Sequence, residues 1–175
     1  MEYLTIAFIA RNQDTAIEQV IHLTAKTQCY IEESRFAVLG DDFAGILQVA
    51  GNWNAIAKLE TAFNAIGQQA DIVIELKRSQ KTRLEGDFLP YLVQVVALDT
   101  PDLVHEITSF FAEFDIRIID LQTDPFKTSH SETTMITLSL RLSIPAKISI
   151  AELRERFMIL CDELNIDGIM EPEKR

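Results

Sequence analysis

An alternating stretch in the second half of the chain constrains the fold strongly. Between residues 135 and 144 apolar and polar side chains alternate, and the apolar ones are Ile136, Leu138, Leu140, Leu142 and Ile144. A period of two places these side chains on one face of a β-strand and the polar side chains on the other. Such a two-faced strand is typical of an antiparallel sheet covered on one side only. The pattern therefore predicts an antiparallel sheet with helices packed against its apolar face.

The same order of elements occurs twice along the chain. Each half begins with a predicted strand that opens on Tyr-Leu, at Tyr3 and at Tyr91, and continues as helix, hairpin, helix and strand. Pairing Tyr3 with Tyr91 gives an offset of 88 residues, whereas pairing Ile31 with Ile118 gives 87, which predicts a one-residue gap near the first turn. The order βαββαβ is the ferredoxin-like plan, in which right-handed crossovers place both helices on one face of an antiparallel sheet.

The repeat predicts an α+β protein with two ferredoxin-like βαββαβ domains in tandem. We assign residues 1–79 to the first domain, residues 80–89 to a polar linker and residues 90–175 to the second domain. The polar residues 124–132 are expected to form a hairpin loop. Trp53 lies three residues before Ile56 on the same predicted helix, so we expect it to pack in the core or against a helix.

Composition excludes several classes of protein. The formal net charge is -11, from 27 acidic and 16 basic residues, which disfavours direct binding to nucleic acid. The two cysteines, Cys29 and Cys161, lack metal-ligand spacing and are expected to be reduced residues that fill core space. We find neither a signal peptide at the N-terminus nor a run of roughly 20 apolar residues that could cross a membrane. A cytoplasmic protein without membrane contact is therefore predicted.

Four short segments resemble a known family. They are IEESRFAVLGDDF at residues 31–43, GNWNAI at 51–56, DTPDL at 99–103 and LCDELN at 160–165. With them the chain resembles tandem ACT domains and, more narrowly, the glycine cleavage system transcriptional repressor family, over about residues 1–172. The resemblance implies a regulator that is not an enzyme. It also implies that the protein lowers transcription by protein–protein contact with a LysR-type activator, without binding DNA itself, and that glycine relieves the repression.

The resemblance also indicates where a small ligand would bind. ACT domains that bind amino acids use the loop between the first strand and the first helix, where a glycine usually lets the backbone approach the ligand carboxylate. The residues of this chain at those loops are Asn12, Asp14, Thr15 and Ala16 in the first half and Asp99, Asp102 and Leu103 in the second.

Two positions of each half differ from the usual ACT pattern. Thr15 and Asp102 stand where the glycine is expected, and Tyr30 and Arg117 stand where an asparagine often opens the second strand. Asp102 would repel a carboxylate. Binding of an amino acid in the standard ACT manner is therefore not expected for either half.

Several alternatives remain open from the sequence alone. An amino-acid sensor would bind glycine or a similar molecule at the interface between the two domains and shift their packing. A tandem RNA-binding module on the same topology would need exposed aromatic residues, such as Phe8 and Phe43, within a basic face. A homodimer is also open. We find no catalytic motif and expect no cofactor; Asp99, Asp102 and His105 are more typical of helix caps than of metal ligands.

Overall fold

A computed structural model of the chain describes residues 1–11, 13–67, 71–81, 86–128 and 133–174; at residues 13 and 14 it describes the backbone. The chain divides into two compact units, Met1–Arg83 and Leu84–Arg175. Each unit contains four strands and two helices in the order βαββαβ. The predicted fold class, two ACT-like ferredoxin-like domains in tandem, is therefore confirmed.

In the first unit the sheet has the strand order β2-β3-β1-β4, and all of its neighbouring strands are antiparallel. The elements along the chain are β1 (Glu2–Ala10), α1 (Gln13–Lys26), β2 (Tyr30–Leu39), β3 (Asp42–Gly51), α2 (Trp53–Ile66) and β4 (Ile72–Ser79). Helix α2 begins at a side-chain cap, because Asn52 Oδ1 accepts a hydrogen bond of 2.8 Å from the Ala55 N–H.

The second unit repeats this plan with the strand order β6-β7-β5-β8, again antiparallel throughout. Its elements are β5 (Phe88–Leu98), α3 (Leu103–Glu113), β6 (Arg117–Lys127), β7 (Thr134–Pro145), α4 (Ile150–Leu164) and β8 (Asp167–Pro172). The five alternating apolar residues of the predicted central strand all lie on β7 and are all buried. They pack against Phe111 of α3 and Phe157 of α4 in one hydrophobic core.

The structure corrects the repeat offset. Leu4 of β1 and Tyr91 of β5 are both buried in their cores, whereas Tyr3 lies on the partly exposed alternate face. The offset is thus 87 in the first strand as well, and the predicted one-residue gap is wrong. One edge strand of each sheet also contains a β-bulge, between Ile31 and Glu33 in β2 and between Ile118 and Asp120 in β6. The two bulges are 87 residues apart, so the duplication preserves even this irregularity.

Three further expectations are wrong. Residues 124–127 belong to β6 and not to a loop; Pro125 is tolerated there because β6 is an edge strand. Strand β5 begins at Phe88, so the last two residues of the predicted linker are in a strand. Trp53 is the first residue of α2 and is 67% exposed, so it does not fill the core.

Candidate functional site

The predicted site in the first unit lies at the start of α1. Asn12 and the side chain of Asp14 lie outside the described part of the structure. Thr15 is exposed, whereas Ala16 is buried in the core with Val20. Ala16 can therefore offer a ligand only its backbone; of the predicted site residues in this loop whose side chains are described, Thr15 is the exposed one.

The predicted site in the second unit adjoins a cavity of about 160 Å³ beside the start of α3 and the end of α4. Asp102 and Leu103 line the cavity, but Asp99 does not; instead its backbone N–H donates to the Thr134 carbonyl at 3.1 Å. Asp102 is the N-cap residue of α3, but its side chain makes no capping hydrogen bond.

Electrostatics make this cavity a poor site for an anion. Asp102 and Glu106 both line it, and none of its described lining residues is basic. Two carboxylates at one small cavity repel a ligand carboxylate, which agrees with the departure from the ACT pattern at Asp102. Among the described residues, no group of three or more side chains is placed to hold a metal ion.

The aromatic residues required by the RNA-binding alternative are not at the surface. Phe8 of β1 and Phe43 of β3 are buried, and their ring centroids are 5.7 Å apart within the core of the first unit. Buried rings cannot stack on unpaired bases. The structure therefore removes the residues on which that alternative depended.

The side of the first sheet opposite its helices exposes a cluster of aliphatic side chains, which we call the first open face. The cross-strand register places Ile9 beside Ala44 and Val73, and Ala7 beside Ile46. Ile9, Ile46 and Val73 are each exposed by half or more. Exposed apolar clusters of this kind mark surfaces for protein–protein contact.

The corresponding side of the second sheet, the second open face, has polar side chains at its centre and exposed apolar ones, including Ile169 and Phe126, on its edge strands. A cavity of about 230 Å³ lies on it, lined by Leu92, Val93, Gln94, Asp120, Gln122, Ser139, Leu140, Arg141 and Glu173. Sequence reasoning missed this cavity. Its one visible signal was the polar half of the alternating stretch, which contains Ser139 and Arg141.

Two basic side chains at and just after the end of β4, Arg78 and Lys81, are paired with acids. Arg78 forms a two-pronged hydrogen bond with Glu60, both distances being 2.7 Å, and lies 3.6 Å from Glu2. The hydrogen bond from Arg78 holds the pKa of Glu60 below its usual value. Lys81 pairs with Glu32 at 2.7 Å. The charges of Arg78 and Lys81 are therefore partly neutralised.

Comparison with known proteins shows which family the chain resembles. Residues 2–77 match the model of the ACT domain family. The first unit therefore resembles an ACT domain over nearly its whole length. The chain is also 26% identical over 166 residues to the glycine cleavage system transcriptional repressor of Escherichia coli (strain K12), across 95% of this chain and 87% of that protein. The same values hold for the repressor of Shigella flexneri. The resemblance to this family is therefore confirmed.

Solved structures agree on the fold of the whole chain. A crystal structure provisionally assigned as a glycine cleavage system transcriptional repressor has a TM-score of 0.76 and 22% identity, covering 99% of this chain and 98% of that chain. A protein of unknown function from Galdieria sulphuraria has a TM-score of 0.80 and 19% identity, covering 99% of both chains. At such identities these neighbours indicate the fold alone.

The curated relatives are transcriptional repressors, which confirms the prediction of a regulatory protein that is not an enzyme. In the described part of the chain, no helix is both long and apolar enough to cross a membrane.

Proposed function

We propose that this protein lowers transcription by binding a transcription factor, a LysR-type activator of glycine cleavage genes, and that it does so without contacting DNA. The observation that supports the proposal is the similarity over 95% of the chain to a glycine cleavage system transcriptional repressor. The tandem ACT plan, with the same element order in both units, agrees with that similarity.

Electrostatics favour protein contact over DNA contact. A net charge of -11 repels a phosphate backbone, and Arg78 and Lys81, two of the basic residues at the end of the first unit, are already paired with carboxylates. A LysR-type activator must expose basic surface to bind its operator. The negative charge of the present chain should therefore attract it to the activator over long range.

The first open face is the surface of this chain that we propose for the contact. It offers Ile9, Ile46 and Val73 to a partner, and burial of apolar surface is a main favourable term in protein association. Its edge also contains Arg35 opposite Ile46 and Glu75 opposite Ala7, which provides a polar rim.

The test is reconstitution with the purified LysR-type activator and its operator DNA. We expect the chain alone to leave the DNA unshifted, to associate with the activator, and to lower transcription in vitro. A chain that shifts the operator by itself, or one that shows no association with the activator at micromolar concentrations, would contradict the proposal.

A matched pair of variants locates the surface. Ile46 and Ile159 are exposed to nearly the same extent, 50% and 51%, but Ile46 lies on the first open face and Ile159 on helix α4 of the second unit. Ile46→Glu should weaken activator binding by about tenfold or more, as expected for a central apolar contact, whereas Ile159→Glu should leave it nearly unchanged. Equal effects of the two variants would exclude the first open face.

An amino-acid effector, glycine or a similar molecule, is the second candidate, because the cavity beside Asp102 lies at a loop position used by ACT domains. A ligand at 100 times its dissociation constant should add about 2.7 kcal/mol of stability in a thermal-shift assay. If the amino acid binds here, Asp102→Asn should strengthen binding by removing one repelling charge. Absence of a shift with every amino acid would exclude the sensor function.

A further inference from the structure

The chain that leaves the first sheet turns back over its open face. Ser79 is the last residue of β4, and its hydroxyl accepts hydrogen bonds from Thr5 on β1, at 3.0 Å, and from Gln48 on β3, at 3.2 Å. Two residues later, Lys81 Nζ lies 2.7 Å from Glu32 Oε2 on β2. Because the strand order is β2-β3-β1-β4, these contacts lead from one edge of the sheet to the other.

A row of four residues lies on the open face at this end of the sheet. Cross-strand pairing aligns them, one from each strand, and they are Tyr30, Ala50, Tyr3 and Ser79. Ala50 is fully buried, although its neighbour Val49 belongs to the core on the other side of the sheet. An alanine on a bare sheet face would remain accessible to water. Ala50 is therefore covered from the open side.

The distance across the sheet requires the chain to cross it almost directly. Three strand spacings of about 4.8 Å separate β4 from β2, or about 14 Å in all. The two residues from Ser79 to Lys81 extend at most about 7 Å, so the side chains of Lys81 and Glu32 must span the rest. Glu32 lies two residues beyond Tyr30 along β2, away from the end of the sheet. The chain therefore crosses over the open face and does not pass beyond its end.

We propose that residues 79–81 form a strap over the first open face, held by the ion pair between Lys81 and Glu32. Opening of the strap would uncover the row of tyrosine, alanine and tyrosine side chains for contact with a protein partner. Tyrosine is enriched in the buried centres of protein interfaces, because it combines a large apolar ring with a polar end. The row continues the aliphatic cluster, since Ala50 and Ile46 lie on the same face of β3. We assign the partner as the activator, and this assignment rests on the proposed function.

The strap can open because both members of its ion pair reach solvent. The side chain of Lys81 is 55% exposed and that of Glu32 is 27% exposed. Loss of one charge from such a pair typically changes an equilibrium by about two- to fivefold, and reversal of the charge changes it further because attraction becomes repulsion. Glu33 offers a matched control, because it is the neighbouring acid and pairs at 3.0 Å with Arg35 of its own strand.

Limited trypsin digestion of the full chain, followed by mass spectrometry, tests the strap without any partner. Glu32→Lys and Glu33→Lys change the net charge equally and leave Lys81 in place. We expect cleavage after Lys81 to be at least about fivefold faster in Glu32→Lys than in Glu33→Lys, because proteolysis follows the population of the open form. If Glu32→Lys does not fold by circular dichroism, Glu32→Gln and Glu33→Gln replace the pair, with an expected difference of about twofold or more. Equal rates of cleavage at this bond would overturn the strap.

Binding to the purified activator tests what the strap covers. We expect Glu32→Lys to bind the activator at least about threefold more tightly than Glu33→Lys, because a larger fraction of the chain would have the row uncovered. Adding Lys81→Glu to Glu32→Lys restores opposite charges and should return the affinity to that of wild type. Faster cleavage without tighter binding would overturn the assignment of the row to the activator contact. If neither wild type nor any variant binds the activator, the proposed function fails together with that assignment, while the rates of cleavage still decide whether the ion pair holds the strap.

Discussion

Gly168 of β8 makes a tight contact in the core of the second unit. A Cβ atom at this position would lie 2.5 Å from Cys161 Sγ and 3.0 Å from Phe157 Cζ. Cys161 is 7% exposed and Phe157 is 1% exposed, so neither side chain can move into solvent to relieve the contact. We therefore predict that Gly168→Ala destabilises the second unit by overpacking.

The expected cost follows from the crowding. Overpacking of a closed core typically costs about 1–3 kcal/mol, and the short distance to Cys161 Sγ puts this site near the upper end. Alanine loses less backbone entropy on folding than glycine, which offsets about 0.5–1 kcal/mol. The net loss is about 2 kcal/mol, which lowers the midpoint of urea unfolding by about 1 M for a slope of about 2 kcal/mol per molar.

A double-mutant cycle with Cys161→Ala identifies the source of the cost. Removing the sulfur removes the shorter of the two contacts, so Gly168→Ala should cost at least about 1 kcal/mol less in the Cys161→Ala background. The assay is urea unfolding followed by far-ultraviolet circular dichroism, with reductant present. Gly67→Ala is the control, because its Cβ would meet no atom of the described residues closer than 3.4 Å, and it should be neutral or slightly stabilising. An equal cost in both backgrounds would refute the crowding argument.

Three further predictions concern other parts of the chain. Asn52→Ala removes the side-chain cap that accepts from the Ala55 N–H and should lower the free energy of unfolding by about 1 kcal/mol, measured by urea denaturation. Arg141→Met removes a buried unpaired donor and should leave the ligand-free protein at least as stable as wild type in a thermal melt; a large loss of stability would contradict this. Arg78 lowers the pKa of Glu60 from its usual 4.5. Wild type should therefore have a higher free energy of unfolding than Glu60→Gln, and this difference should reach its full size above pH 4.5. This advantage should disappear as the pH falls through the lowered pKa, which denaturation at a series of pH values measures; a difference that does not vary with pH would contradict it.

Side-chain alternation was enough to predict the fold class and the apolar face of β7. It was not enough to align the two halves. Both halves begin with Tyr-Leu, which suggests that Tyr3 corresponds to Tyr91, but Tyr91 faces the core of its unit and Tyr3 faces away from the core of its own. Only burial distinguishes these faces, and it pairs Leu4 with Tyr91. The β-bulges shift the alternation by one residue in β2 and β6, and this shift cannot be read from a periodic pattern.

The length of β6 was underestimated for a similar reason. Residues 124–127 include two charged side chains and a proline, which predicts a loop when the neighbouring strands are unknown. An edge strand can be solvated on both faces and can leave one N–H unpaired, so neither feature excludes a strand there.

The candidate sites were predicted only in part. Family resemblance indicated Asp102 and Leu103, which line one cavity, and also Asp99, which does not. The cavity around Arg141 was missed because its walls come from strands that are distant in sequence, together with Glu173 near the C-terminus. Which strands are neighbours, and in what register, is a property of the folded sheet and not of any one segment.

The two open faces show what strand alternation permits during evolution. Substitutions at every second residue of a strand alter one surface of the sheet, while the residues between them keep the hydrophobic core unchanged. A duplicated domain can therefore acquire new surface chemistry in one copy at little risk to its folding. In this chain the centre of that surface is aliphatic in the first copy, at Ile46, and polar in the second, at Ser139 and Arg141, although both keep the same topology and the same bulge.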